Sequence, residues 1–178
     1  MTAFDSFLQK QRVRMAARFL APGARVLDLG CGDGALFRQL TWISGIGIDP
    51  TLAHSFDLPN ASVMAGRFPD DVPAERGFDA VTLLAVLEHL PVEVQRRLDE
   101  ACARVLKPEG RVILTVPSAK TDLVLAVLKK FRLVHGMALE EHYGYDVRKT
   151  PELFGSFRMV AHERFQLGFN NLFVFEKS

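Results

Sequence analysis

Cysteine is scarce. Cys31 and Cys102 lie far apart and outside any CxxC or Cys/His cluster, which argues against a disulfide framework and against a zinc site, so no metal is expected. Charge of one sign is not in excess either: 22 Lys plus Arg stand against 21 Asp plus Glu, which offers no basic surplus to a phosphate backbone and disfavours nucleic acid as a partner. No apolar run approaches the ~18 residues that span a bilayer. The opening "MTAFDSFLQKQ" has no basic region followed by an apolar stretch and a small-residue cleavage site, so a cytoplasmic protein is expected. Repeats, low-complexity tracts and long linkers are absent too. What is there, 48% apolar and 24% charged residues over 178 positions, suits one domain with a real core spanning residues 1 to 178.

Strand-like and helix-like runs alternate, which predicts an α/β sheet. The stretch from 4 to 20 places Phe7, Leu8, Val13, Ala16, Ala17 and Leu20 near helical spacing, and "APG" ends it. Strands are then expected at "RVLDL", "GIGID", "SVMAG", "FDAVTLLAV" and "RVILTVP", with a short helix at "ALFRQL" and a helix-like "PTLAHSF". Pro91 opens a helix whose Val94, Leu98, Cys102 and Val105 form one apolar stripe before "KPEG" stops it. Further helices are expected at 119 to 134 and 148 to 155. The last stretch, 157 to 177, carries two strands joined near Gly168, too close together for a helical crossover, so the sheet should end in an antiparallel hairpin.

Where "VLDLGCGDGALF" (26 to 37) leaves the first strand, glycines remove Cβ atoms and let a ligand lie against the main chain at the carboxyl edge of the sheet. Asp49 follows Gly30 by 19 positions at the end of the second strand, a spacing at which an acid commonly accepts from ribose hydroxyls. Together these predict a Rossmann-like doubly wound fold, mostly parallel, binding a nucleotide-like ligand. Gly30, Gly32 and Ala35 also satisfy the dehydrogenase pattern GxGxxG/A. A dinucleotide, however, would set its pyrophosphate beside Asp28 and Asp33, charge against like charge. S-adenosylmethionine has no phosphate, and its ammonium and sulfonium are cations that the carboxylates attract.

The chain resembles the class I S-adenosylmethionine-dependent methyltransferases. "VLDLGCGDG", "GIGIDP", "FDAVTLLAVLEHLP" and "LKPEGRVILTVPS" resemble four motifs of that family, in family order. The resemblance implies that Asp28 and the loop at Gly30, Cys31 and Gly32 hold the methionine end of S-adenosylmethionine. It implies that Asp49, with Pro50, holds the ribose, and that the backbone near Leu84 meets the sulfonium. Many relatives carry an acid after the third strand's glycine to meet the adenine amino group. This chain reads Gly66, Arg67, Phe68 there, so the main chain at Arg67 and the ring of Phe68 are expected to pack the adenine.

Several residues admit two readings. Asp33 either caps the following helix or touches ligand. Glu88 and His89 end a strand facing the crevice, as a structural pair or a catalytic one. Arg12 and Arg14 either reach the cofactor carboxylate or form a solvated helix face. His54, His135 and His162 read as surface residues, and the phenylalanines of "FQLGFNNLFVF" as core. The acceptor is sought in 119 to 145, an expected inserted cover with an apolar face (Leu123, Val124, Val127, Leu128, Phe131) and a basic rim (Lys129, Lys130, Arg132). It suits a small or lipid-like acceptor such as a lipid, quinone precursor or lipid-linked sugar, with peripheral membrane contact, or else it only covers the sheet edge. No Asn or Asp followed by Pro-Pro and an aromatic follows the fourth strand, which argues against methylation of a base. His142, in "EEHYGY", is the first candidate base and His89 the second. A non-catalytic S-adenosylmethionine-binding module and an NAD-dependent oxidoreductase remain as alternatives.

Overall fold

The computed structural model describes residues 3–71, 76–118 and 145–178. Helix α1 (Ala3–Ala17) leads to β1 (Arg25–Leu29), α2 (Ala35–Gln39), β2 (Ser44–Asp49), β3 (Phe56–Leu58), β4 (Ala61–Ala65) and β5 (Phe78–Leu84). Helices α3 (Val92–Gln95) and α4 (Leu98–Val105) precede β6 (Leu106–Pro117), and β7 (Phe157–Phe165) and β8 (Asn170–Lys177) close the order. Among the described residues these strands form one sheet in the order β3-β4-β2-β1-β5-β6-β8-β7. Strands β4, β2, β1, β5 and β6 are parallel, and β8 runs antiparallel to both of its neighbours. The expected doubly wound sheet with a reversed hairpin strand is present.

The inner strands read as continuous apolar runs because both of their faces are covered. On one face Leu27, Ile48, Leu83 and Leu114 meet Leu98, Cys102 and Val105 of α4. On the other, Val26, Ala80, Ile113 and Val174 meet Val13, Ala16 and Leu20, while Leu36 and Phe37 of α2 complete the layer. Phe154 is 1% exposed and anchors the 3-10 turn Val147–Phe154. Its ring stacks on Phe175 with centroids 4.8 Å apart and meets Phe157 edge-on at 6.1 Å.

Four local expectations change. The stretch 50 to 56 is no helix: Phe56–Leu58 pairs antiparallel with β4 across a tight turn at Pro59 and Asn60. The turn is held from outside, since the Asn60 amide donates to the carbonyls of Ile43 (2.9 Å) and Phe37 (3.1 Å). The helix after Pro91 breaks at Arg97 into α3 and α4. At 148 to 155 the chain winds as a 3-10 turn containing Pro151, which lacks the N–H that an α-helix would use. Strand β5 stops at Leu84 rather than 86, because Ala85 takes a φ of 61°. The segment expected at 119 to 134 lies outside the described residues.

Truncating Phe154 to alanine leaves a void between β8 and the 3-10 turn. Chemical denaturation should report a loss of about 3–5 kcal/mol, and a loss below about 1 kcal/mol would show that this ring is not an anchor.

Candidate functional site at the carboxyl edge of the sheet

Sheet order reverses beside β1, and the carboxyl ends of β1, β2, β4 and β5 converge there. Asp28, the fourth residue of β1, is 4% exposed and accepts a 2.6 Å hydrogen bond from the Thr82 hydroxyl on β5. Burial pushes its carboxyl up to about 7, with the Thr82 hydrogen bond opposing the shift and the nearby Asp49 charge adding to it.

The two loop glycines have different jobs. Both take positive φ, 67° at Gly30 and 54° at Gly32. A Cβ on Gly30 would clash with a Val86 methyl, whereas one on Gly32 would meet nothing within 4 Å. Gly30 is therefore required by packing against the β5 exit. Gly32 faces open space, where ligand approach was expected. Between them Cys31 is buried under Gly47, and burial beside Asp28 and Asp49 pushes its thiol well above the usual range, so it packs as a neutral group.

Asp49 is 7% exposed and already engaged. Its Oδ2 accepts from the Gly32 N–H at 2.8 Å, and its Oδ1 accepts from the Thr51 N–H at 2.8 Å and the Thr51 hydroxyl at 2.6 Å. Three of about four acceptor directions are used, leaving one on Oδ2. Pro50 is exposed beside it. At the end of β4, Gly66 donates to the Asp49 carbonyl at 3.2 Å. Arg67 is exposed, and Phe68 is half-buried against the core. Asp71, passed over in the sequence, closes this turn: its Oδ2 accepts from the Arg67 N–H and its own N–H donates to the Arg67 carbonyl, both at 2.8 Å. An acid thus stands beside Gly66 in space although it comes five positions later in the chain. The signal was the acid pair of "RFPDD" after a strand-ending glycine.

Arg12 does not lie on a solvated helix face. With Asp5, Gln9, Asp28, Gly30 and Leu84 it lines a cavity of about 190 Å³. Its Nε is buried with no hydrogen-bond partner among the described residues. Burial lowers its guanidinium below the ordinary value while Glu88 and Asp5 oppose the shift. It stays charged. Arg14 is exposed, and so is Asp33, which does not cap α2: that position belongs to Gly34, at a φ of 78°. A roomier hollow of about 370 Å³ lies at the opposite edge of the sheet, where one of its two carboxylates, Asp79, already accepts from Lys107 at 2.6 Å and the Arg25 N–H at 2.7 Å.

The β5 exit turns sharply at Ala85, whose N–H donates to the Thr115 carbonyl at 3.0 Å, and enters the 3-10 turn Leu87–His89. Glu88 is 3% exposed. His89 is exposed, with its side chain 42% accessible and its Nε2 4.0 Å from Glu88 Oε1. His54 is exposed, and His162 lies flat on Phe173 at 4.1 Å between centroids. His142, His135 and nearly all of the cover at 119 to 145 lie outside the described residues. A cavity bordered by a buried acid and a buried guanidinium suits a zwitterion. It repels a pyrophosphate, because Asp28 and Asp33 flank the loop and α2 has only five residues to offer an anion.

Residues 3–150 match a family model described as a methyltransferase domain. A ubiquinone biosynthesis O-methyltransferase from Xanthomonas campestris pv. campestris is 33% identical over 151 residues, an overlap that covers 78% of this chain and 62% of the relative. The protein of the same name from Xanthomonas oryzae pv. oryzae is 31% identical over the same shares. Among solved structures, a TehB-like S-adenosylmethionine-dependent methyltransferase from Corynebacterium glutamicum superposes with a TM-score of 0.67 at 17% identity, covering 94% of this chain and 87% of that one. Magnesium protoporphyrin IX methyltransferase from Synechocystis, with bound S-adenosylhomocysteine, gives 0.65 at 19%, covering 97% and 83%. At these identities the likeness to the solved structures is one of fold.

The Asp28 carboxyl makes the ligand-free chain sensitive to pH. Its folded value near 7 exceeds the unfolded value of 3.8, so the folded state holds the extra proton between them and stability falls as pH rises through that window. Urea titrations at pH 5 and pH 8 should differ by about 2–3 kcal/mol from this group, and Asp28→Asn should remove that difference. Equal pH dependence in the two proteins would place the Asp28 carboxyl in the ordinary range.

The loop glycines should separate in thermal melts. Gly30→Ala, which drives a methyl into Val86, is expected to cost about 2–4 kcal/mol, and Gly32→Ala about 1–2 kcal/mol from its backbone alone. Reversal of that order would mean that Gly30 is not clamped by Val86.

Proposed function

Because the chain belongs to the class I S-adenosylmethionine-dependent methyltransferase family, we propose that it transfers a methyl group from S-adenosylmethionine to a hydroxyl of a small or amphipathic acceptor, of the quinone-precursor kind. The observation that carries this reading is the cavity in which the Arg12 Nε lies buried with no partner among the described residues, facing the same space as Asp28. An amino-acid end answers both groups: a carboxylate satisfies Arg12, and an ammonium satisfies Asp28 in its ionised form. The remaining acceptor direction on Asp49 Oδ2 suits a ribose hydroxyl, the open face of Gly32 admits the ligand, and the Arg67 turn closed by Asp71 stands where the adenine is expected, against Phe68.

Bound there, S-adenosylmethionine supplies an electrophilic methyl carbon on a cationic sulfur. The chain's own part is chiefly to position and to exclude water. Leu84 and Ala85 form an apolar wall to the cavity. A hydroxyl acceptor must also lose its proton, and His142 and His89 are the proposed acceptors of it, in that order. Residues 119 to 145 are proposed as the acceptor cover within a single domain, with contact to a membrane surface and a cytoplasmic location as parts of the same reading. Among the described residues no helix is long and apolar enough to cross a membrane.

Calorimetry with two ligands tests the cavity assignment. Arg12→Met keeps the packing of the stem and removes the guanidinium, so it should weaken S-adenosylhomocysteine by about 10- to 100-fold. Adenosine, which lacks the amino-acid end, should bind the two proteins alike. Equal losses for both ligands, or none, would remove Arg12 from the methionine end. Labelled methyl transfer to the lipid, small-molecule, protein and nucleic-acid fractions of a cell extract then identifies the acceptor class, and label in none of them would favour a binding module.

A further inference from the structure

Near the cavity, further buried polar atoms have no partner among the described residues. The Thr115 hydroxyl on β6 and the Asn170 Oδ1 at the start of β8 have none among the described residues, and the Ser118 hydroxyl at the β6 exit has none either. Thr115 is 0% and Asn170 3% exposed, so water does not reach them from bulk. Buried polar atoms are rarely left so, and each one unsatisfied is costly. Thr115 and Asn170 belong to one place. Asn170 is the register partner of Pro117, two residues beyond Thr115, which puts both side chains on the sheet face covered by α1. Thr115 is in turn the register partner of Leu84, which lines the cavity.

The sense of the Asn170 amide is set from outside the pair. The Leu8 carbonyl can only accept, and it receives the Gln166 Nε2 at 3.4 Å. Gln166 therefore turns its Oε1 toward Asn170, which must donate its Nδ2 to it. Asn170 Oδ1 is left facing away as an acceptor that calls for a donor, while Thr115 can both donate and accept. A carboxylate or phosphate carries no proton for Asn170 and would be repelled there. A neutral hydroxyl serves both: it donates to Asn170 and accepts from Thr115.

We propose that Thr115 and Asn170 form the hydroxyl-recognition subsite for the methyl acceptor, one strand away from the cofactor cavity, and that they select a neutral hydroxyl-bearing acceptor over one without a free hydroxyl. The proposal rests on the methyltransferase reading above. Discrimination arises because an acceptor that cannot hydrogen-bond leaves both side chains buried and unpaired.

The test uses the full chain saturated with S-adenosylhomocysteine and two probes, 4-octylcatechol and its dimethyl ether, titrated by calorimetry. The parent should bind the catechol at least about tenfold more tightly than the ether. Thr115→Val, which keeps the strand's shape, and Asn170→Ala should each abolish that preference while S-adenosylhomocysteine affinity stays within about twofold. A preserved preference in both variants, even with altered melting temperatures, would mean that these atoms hold structural water only, and the proposal falls. No catechol preference in a parent that binds S-adenosylhomocysteine overturns it equally. Failure of the parent to bind S-adenosylhomocysteine would instead overturn the cofactor reading on which the proposal stands.

Discussion

The carboxylate of Asp49 holds the site together. One oxygen takes the Gly32 N–H and the other takes both donors of Thr51, so the glycine loop of β1 and the exit of β2 are tied at a single charged point. Without it the loop N–H would turn to water, and the gap between the two strand ends would lose its shape. The backbone repeats the tie, with Gly30 donating to the Ile48 carbonyl at 2.8 Å and Gly66 to the Asp49 carbonyl at 3.2 Å. Three successive strand ends are thereby held in register around one hollow. This is preorganisation in a literal sense: the order a ligand would otherwise impose is already present.

That order carries an electrostatic cost. Asp28 and Asp49 are both buried and repel one another, Arg12 is desolvated, and Ala85 occupies a φ of 61° that a non-glycine residue adopts only under constraint. The surrounding core offsets these terms with apolar contact on both sheet faces. A cationic and anionic ligand end would relieve the two charge terms together, so ligand affinity and fold stability are coupled through the same residues.

What was legible in the sequence was what is local in it. The run from Val26 to Phe37, the acid at 49 and the apolar strands announce themselves through spacing and alternation alone, and the mostly parallel sheet, the reversed strand and the glycine loop followed from them. What was not legible depends on contacts between distant segments. The 50 to 56 stretch looks helical until Asn60 is seen holding the end of α2, which draws the chain back into a hairpin. Arg12 reads as one more charge on a helix because nothing nearby says which face meets β5. Asp71 is hidden by its distance in sequence from Gly66, and Thr115 and Asn170 become neighbours only once β6 and β8 are in register.

The two cysteines are placed so that each sheet face carries its own chemical reporter. Cys31 sits under Gly47 against Phe37 on the α2 side, and Cys102 is sealed beneath α4 on the other. Both thiols are buried and held neutral, so an alkylating reagent cannot attack them in the native chain. Modification at Cys31 therefore counts excursions in which the glycine loop lifts from β2, and modification at Cys102 counts those in which α4 leaves the sheet. The ratio of the two rates would measure, from one labelling experiment, whether the fold breathes as a whole or opens first at the carboxyl edge of the sheet.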